Sequence, residues 1–266
     1  MPAIVILFAG MARSYVSKIK CFSETFYFSW RLNMDWKKVV DQMFPSGHEV
    51  RQEGDLLLGE GRCGKHTVAV IGTTNHTEVG VELALAMAAA VIEVTRNHPD
   101  RPIVFLVDTS GQRLRHRDEM LGLNGYMAHL AKCVEMARRW DHPIISLVYE
   151  QALSGGFLAN GMMADVCASL PEAEIRVMGL AAMARVTRIS EERLTQLSIS
   201  SPVFAPGANN YLKMGGLDAL WEGDLSACLT DALAHVDATD HRRKRGLERG
   251  GRLFADAVVK QVLSSA

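Results

Sequence analysis

The chain has 266 residues, 48% of them hydrophobic and 22% charged, with 29 Lys and Arg against 30 Asp and Glu for a formal net charge of -1. This composition supports a buried core and excludes a disordered polymer, and the near balance of charge excludes a global basic field that would draw the chain to nucleic acid or anionic lipid. At about 150 residues per domain, length allows one large α/β domain or two smaller ones. The five cysteines (Cys21, Cys63, Cys133, Cys167, Cys228) are scattered and include no C-x-x-C pair. They argue against a disulfide framework and a structural zinc site, and for a reducing compartment. No stretch reaches the ~18 to 20 apolar residues of a membrane span. Ala3 to Ala9 is apolar, but Arg13 and Lys18 follow it instead of preceding it, the reverse of a secretory signal. A cytoplasmic location without membrane contact is expected.

Residues 1 to 33 gather Phe8, Tyr15, Phe22, Phe26, Tyr27, Phe28 and Trp30 without a clean period of 2 or 3.6. Met34-Asp35-Trp36-Lys37-Lys38-Val39-Val40 then reads as a start followed by an amphipathic helix. Met34 is therefore expected to be the initiator, with residues 1–33 a disordered leader or a mis-called upstream extension; the alternative is an extra strand or partner-binding arm. Intact mass from the native source decides between them.

From there the pattern is strand then helix. Asp55 to Gly59 and Thr67 to Gly72 predict a hairpin across Gly61-Arg62-Cys63-Gly64-Lys65. Thr77, with Glu78 after it, predicts the cap of an Ala-rich helix reaching about Asn97. Pro102 introduces the buried-type strand Ile103–Val107, ending in Asp108-Thr109-Ser110-Gly111. A helix over about Leu123 to Trp140 follows. Pro143 opens a second buried strand, Ile144–Val148, ending in Ser154-Gly155-Gly156 and a short helix to Met163. Val166 to Leu170 and Ile175 to Met178 predict further strands. Such alternation implies parallel pairing through right-handed crossovers, hence one α/β domain over residues 34–266.

Ligands in such folds gather beyond the carboxyl ends of the strands, and two consecutive strands here end in glycine. Glycine admits close backbone approach, and a helix start leaves N–H groups unpaired. The amides of Gly111 and of Gly156 or Phe157 are therefore candidates for an oxyanion hole. Alternatively, these glycines serve only tight strand-to-helix turns. Arg113, Arg115, His116 and Arg117 follow Gly111 directly and suit a carboxylate. His241-Arg242-Arg243-Lys244-Arg245, with Arg249 and Arg252, reads either as a solvated helix face or as a surface for an acidic carrier or a phosphate group.

Other motifs fail on context. Gly59-Glu60-Gly61-Arg62-Cys63-Gly64-Lys65-His66 departs from the phosphate-binding loop where His66 replaces Ser or Thr, and a strand-like run follows it where a helix is needed. Ala152 replaces the first glycine of G-x-S-x-G before Ser154, so no serine triad is indicated. The nine histidines show no ligand spacing, and no metal is expected. Met87 and the run from Met120 to Met136 have the spacing of core residues.

The segment Pro102 to Gly111, then Glu119, Pro143-Ile144-Ile145 and Ser154-Gly155-Gly156-Phe157, resembles the crotonase-like carboxyltransferases of acyl-CoA carboxylation. Their counterparts are an Asp-Thr-Pro-Gly turn and a Gly-Gly pair. Thr77 to Ala90, Asp108 to Arg113, Tyr149 to Phe157 and Val177 to Arg188 together are still more similar to the gamma subunits of biotin-independent malonate decarboxylase. The resemblance covers about residues 34 to 266. Ser110 and Gln112-Arg113-Leu114 depart from the carboxyltransferase loop, so biotin binding is not carried over.

The resemblance implies a crotonase-like (ClpP/crotonase) fold and a subunit that works with a beta subunit of the same fold. The complex would further contain an acyl carrier protein and an alpha (transferase) subunit. Its substrate would be a malonyl thioester on the carrier's phosphoribosyl-dephospho-CoA group, with no cofactor bound directly by this chain. Loss of the carboxylate itself creates the enolate, so the reaction needs an oxyanion hole and a proton more than a strong base. The implied catalytic residues are Gly111, Gly155, Gly156 and Phe157, with Ser110, Gln112, Arg113 and Ser154 on the substrate side. The thioester oxygen is expected in the beta subunit's hole and the malonyl carboxylate at this one. Two rivals are a stand-alone hydratase or isomerase using Glu119 or Glu150, and a non-catalytic scaffold.

Overall fold

The computed structural model describes residues 35–200, 206–237, 239, 241–251 and 254–265. The expectations for residues 1–33 lie outside the described residues. Asp35 caps helix α1 (Trp36–Met43) by accepting the Lys37 N–H, and Trp36, Val39, Val40 and Met43 are buried at helical spacing. Strands β1 (Arg51–Glu53), β2 (Leu56–Cys63) and β3 (His66–Thr73) form an antiparallel ladder, with Cys63 paired to His66 across Gly64-Lys65. The glycine-lysine segment is thus a hairpin turn, and a strand follows it.

Next come β4 (Thr77–Val79), α2 (Val81–Asn97), β5 (Ile103–Gln112), α3 (His116–Met120) and α4 (Leu123–Arg139). Strand β6 (Ile144–Leu153) runs straight into α5 (Ser154–Asn160), followed by β7 (Val166–Ser169) and β8 (Glu174–Arg176). The remainder is α6 (Leu180–Thr187), α7 (Glu191–Ser200), α8 (Ala208–Met214), β9 (Ala219–Leu220), α9 (Leu225–Ala234), α10 (Arg242–Glu248) and α11 (Ala255–Ser264). The sheet order is β1-β2-β3-β5-β6-β7-β9, with β4 against β5 and β8 against β6. From β3 onward every pairing is parallel, as helical crossovers require.

Ile103 to Val107 on β5 and Ile144, Ile145, Leu147 and Val148 on β6 are fully buried, because strands in the middle of a parallel sheet are covered on both faces. Met87, Ala88 and Val91 of α2 pack with Leu130, Val134 and Ala137 of α4 in the same core. Met120, which its spacing places in the core, is exposed at the end of α3.

Both long strands outrun their apolar stretches. β5 pairs with β3 through Leu106 and with β4 from Thr109; β6 pairs with β7 through Val148 and with β8 from Gln151. The β5–β6 register shifts between Val107 and Thr109, a bulge that re-aims the strand tips. Asp108 to Gln112 is therefore strand, where the polar residues predict a strand end. Thr77 likewise does not cap α2. It pairs with Thr109 in β4, its hydroxyl donates to Asp55 at 2.9 Å, and Gly80 takes the N-cap position. Sheet pairing overrides the local capping signal.

Candidate active site

The tips of β5 and β6 bring Ser110, Gly111, Gln112, Ser154, Gly155 and Gly156 together. Gly111 has a backbone φ of +103°, which side chains disfavour. Gly156 meets it directly: a Cβ there would lie 3.0 Å from Gly111 Cα and carbonyl carbon and from Thr109 Oγ1. The start of α5 thus rests on the backbone of β5, and both strand-end glycines are needed for the approach. Ser154 opens α5 at φ +47°, fixed by its hydroxyl donating to the Val177 carbonyl at 2.5 Å.

The amides at this junction can be accounted for one by one. Gly111 N–H donates to Thr109 Oγ1 at 3.0 Å, and that hydroxyl donates in turn to the Thr77 carbonyl at 2.7 Å. Gly155 N–H donates to Gln112 Oε1 at 2.9 Å. With Leu153 as N-cap, helix geometry leaves the amides of Ser154, Gly155 and Gly156 without intrahelical acceptors and commits that of Phe157 to the Leu153 carbonyl. The Phe157 ring is buried and meets Tyr211 edge-on, with ring centroids 6.4 Å apart. Ser110 Oγ donates to the His76 carbonyl at 2.7 Å.

Arg113 turns away to brace α2. Its guanidinium lies on Gly80, where a Cβ would collide with it, and donates to both oxygens of Asp118 and to Glu82 at 2.7 Å. Asp118 is buried and also accepts the Val81 N–H at 3.1 Å, capping α2 from a distance. The Arg113 hydrogen bonds hold its carboxyl below the ordinary range. Arg115 and Arg117 pair with Glu78 and Glu82. Nothing in local spacing signals this cap, since Asp118 and Val81 are 37 positions apart.

A second arrangement escapes the sequence pattern as well. Asp108 is almost fully buried, and its carboxylate accepts both the backbone N–H of His76, at 2.8 Å, and contact from the His76 ring Nδ1, at 2.6 Å. Of the basic C-terminal stretch, Arg252 lies outside the described residues, and the other arginines are engaged within the chain. Arg242 bonds the Met162 carbonyl, Arg243 pairs with Asp256, Arg245 with Asp218, and Arg249 donates to the carbonyls of Leu212, Leu217 and Asp218. Among the described residues no three His, Cys, Asp or Glu side chains are grouped to hold a metal, and no helix is long and apolar enough to cross a membrane.

The chain has the fold of the crotonase-like carboxyltransferases, as its likeness to solved structures shows. Transcarboxylase 12S shares it at a TM-score of 0.65 and 19% identity, over 76% of this chain and 41% of that one. Residues 74–266 match the family model of the malonate decarboxylase gamma subunit, and the chain belongs to that family. A malonyl-S-ACP:biotin-protein carboxyltransferase of Malonomonas rubra is 30% identical over 203 residues, which is 68% of this chain and 70% of that protein. A chain of a Pseudomonas malonate decarboxylase hetero-tetramer in complex with coenzyme A aligns at a TM-score of 0.71 and 26% identity, over 85% of this chain and 97% of that one. A chain of a Pseudomonas MdcD-MdcE hetero-dimer aligns at 0.67.

Proposed function

We propose that this chain, paired with a beta subunit of the same fold, decarboxylates a malonyl thioester borne on an acyl carrier protein to acetyl thioester and carbon dioxide. The observation that carries this reading is the contact between Gly111 and Gly156, which sets a free helix-start amide beside a strand tip. Gly156 N–H is the donor present from the outset. Gly155 N–H becomes a second when substrate displaces the flexible Gln112 side chain, and Gly111 N–H a third if Thr109 Oγ1 turns away. One well-placed donor contributes about 3 to 4 kcal/mol to a developing oxyanion. Phe157 anchors α5 in the core, Ser110 and Ser154 shape the rim, and Arg113 holds α2 and the β5 tip together.

Leu114, Met120 and Leu121 after β5, Leu158 on α5 and Val177 after β8 are exposed apolar residues on the segments that follow the strand tips, surface of the kind a partner-completed site needs. The carrier's phosphoribosyl-dephospho-CoA group, an alpha subunit that loads it, a cytoplasmic setting and the absence of biotin belong to the same proposal. The test is reconstitution of this chain with beta and carrier subunits on malonyl thioester, following released carbon dioxide. Full-rate decarboxylation by the isolated chain would refute it. The activity in the name of the Malonomonas relative supports a second reading, transfer of the carboxyl group to a biotin carrier, and carboxybiotin in place of carbon dioxide would establish it.

A further inference from the structure

We propose that His76, oriented by Asp108, is the acid that delivers the proton to the product enolate at this site, an inference that rests on the decarboxylase reading above. His76 lies in the loop between β3 and β4, and its side chain is 41% exposed while that of Asp108 is 4% exposed. A buried carboxylate is costly unless it is hydrogen-bonded, and Asp108 has two such contacts from one residue, through the His76 backbone N–H and ring Nδ1. That contact fixes Nδ1 as the inner nitrogen and leaves Nε2 as the outer one, the disposition of a general acid or base. His76 and its neighbour Asn75 both have left-handed backbone, at φ +50° and +62°, an arrangement that costs energy and persists because Asp108, Ser110 and Asp55 hold the loop.

The dyad lies against β5 just before the glycine junction. Alternate residues of a strand share a face, so Asp108 and Ser110 project together onto His76, and the positive φ of Gly111 turns the chain after them. Asp108 holds the His76 ring, Ser110 the His76 carbonyl and Gln112 the Gly155 amide. Ser110, which holds the His76 carbonyl, directly precedes Gly111, so the dyad lies one residue from the junction. When the carbon–carbon bond to the carboxylate breaks, its electron pair passes into the thioester enolate and carbon dioxide leaves. The enolate carbon then takes the proton from His76 Nε2, and the neutral imidazole, still bonded to Asp108 through Nδ1–H, is reprotonated by solvent. The other titratable groups around it are Asp55 in the β1–β2 turn, Glu78 on β4, and Tyr149 and Glu150 on β6. Tyr149 is no substitute acid, because burial pushes its pKa up and its hydroxyl donates to the Thr73 carbonyl.

The experiment uses the reconstituted complex on malonyl thioester. In His76→Asn, chosen because Asn accepts left-handed backbone, kcat should fall by about 100-fold or more with KM little changed. Added imidazole should restore turnover to His76→Ala, a rescue that a merely structural role would not allow. In the unaltered complex kcat should decline as pH rises, because a general acid must carry its proton to act; this arm requires no variant. Near-normal kcat in His76→Asn, or a wild-type kcat flat from pH 5 to 9, overturns the proposal while leaving the decarboxylase reading intact. A wild-type complex that releases no carbon dioxide from malonyl thioester overturns both.

Discussion

Replacing Gly156 by alanine separates the packing of the site from its chemistry. The new methyl would stand 3.0 Å from Gly111 Cα and carbonyl carbon, where ordinary contact begins at 3.4 Å. The obstacle is backbone and cannot rotate away, so α5 must retreat by about 0.4 Å. Overpacking of this kind costs about 1 to 3 kcal/mol, and helix propensity returns at most ~1 kcal/mol of that. The expected net loss is about 1 to 2 kcal/mol, which lowers the Tm of a unit this size by about 2 to 8 °C. Since the Gly156 amide retreats with the helix, turnover of the reconstituted complex should fall by about 10- to 100-fold. Thermal melting and turnover are read on the same preparation. A variant that melts at or above the wild-type temperature refutes the packing argument. One that melts lower yet turns over normally refutes the role of the amide.

Gly125 offers the opposite case: it is exposed within α4 and an added Cβ meets nothing within 4 Å, so Gly125→Ala should stabilise by about 0.5 to 1 kcal/mol, seen as a higher urea midpoint. Asp118 has its folded pKa lowered, first by Arg113. Its stabilising contribution is therefore complete above the unfolded value near ~3.9 and fades as pH falls through the lower folded one; urea midpoints of Asp118→Asn should decline less steeply below about pH 4 than those of the wild type. Cys167 is fully buried and its thiol is pushed up to about 11, whereas Cys228 is half-buried, so a thiol reagent at pH 8 should label Cys228 before Cys167 and reach Cys167 only on unfolding, as peptide mapping would show.

The parallel α/β core was legible because Ile103–Val107 and Ile144–Val148 are continuous apolar runs set off by Pro102 and Pro143, a pattern that only doubly covered strands require. Their polar continuations were not. Asp108 to Gln112 and Tyr149 to Leu153 read as strand ends because each half-strand is stabilised by a different partner, β4 or β8, brought in from elsewhere in the chain. Thr77 shows the same competition from the other side, its good capping hydroxyl turned to Asp55. At the candidate site, the fold brings the glycines of both tips into contact, as their place at adjacent strand ends leads one to expect. What spacing could not reveal was which amides remain free. That depends on Thr109 Oγ1 and Gln112 Oε1, whose acceptor roles arise only once the bulge has turned the tips. Likewise, Arg113 looked available to substrate beside Gly111, but long-range capping of α2 by Asp118 claims its guanidinium.

Gln112 is where these constraints meet. Its Oε1 occupies the Gly155 amide at 2.9 Å, and a substrate oxygen seeking that amide must first displace it. The side chain is flexible and its amide can be satisfied by water, so the displacement costs about one ordinary hydrogen bond, ~0.5 to 1.5 kcal/mol net. Gln112→Ala removes the competitor without touching a glycine or the strand pairing, which is backbone only. The affinity of the reconstituted complex for an inert malonyl thioester analogue should then rise by about 2- to 10-fold at fixed ionic strength, with the acetyl analogue changed less because it lacks the carboxylate. If Gln112 instead contacts the substrate carboxylate directly, the same truncation weakens malonyl binding. A lower affinity in Gln112→Ala with an unchanged melting temperature would therefore refute the displacement model and move Gln112 into the list of direct substrate ligands.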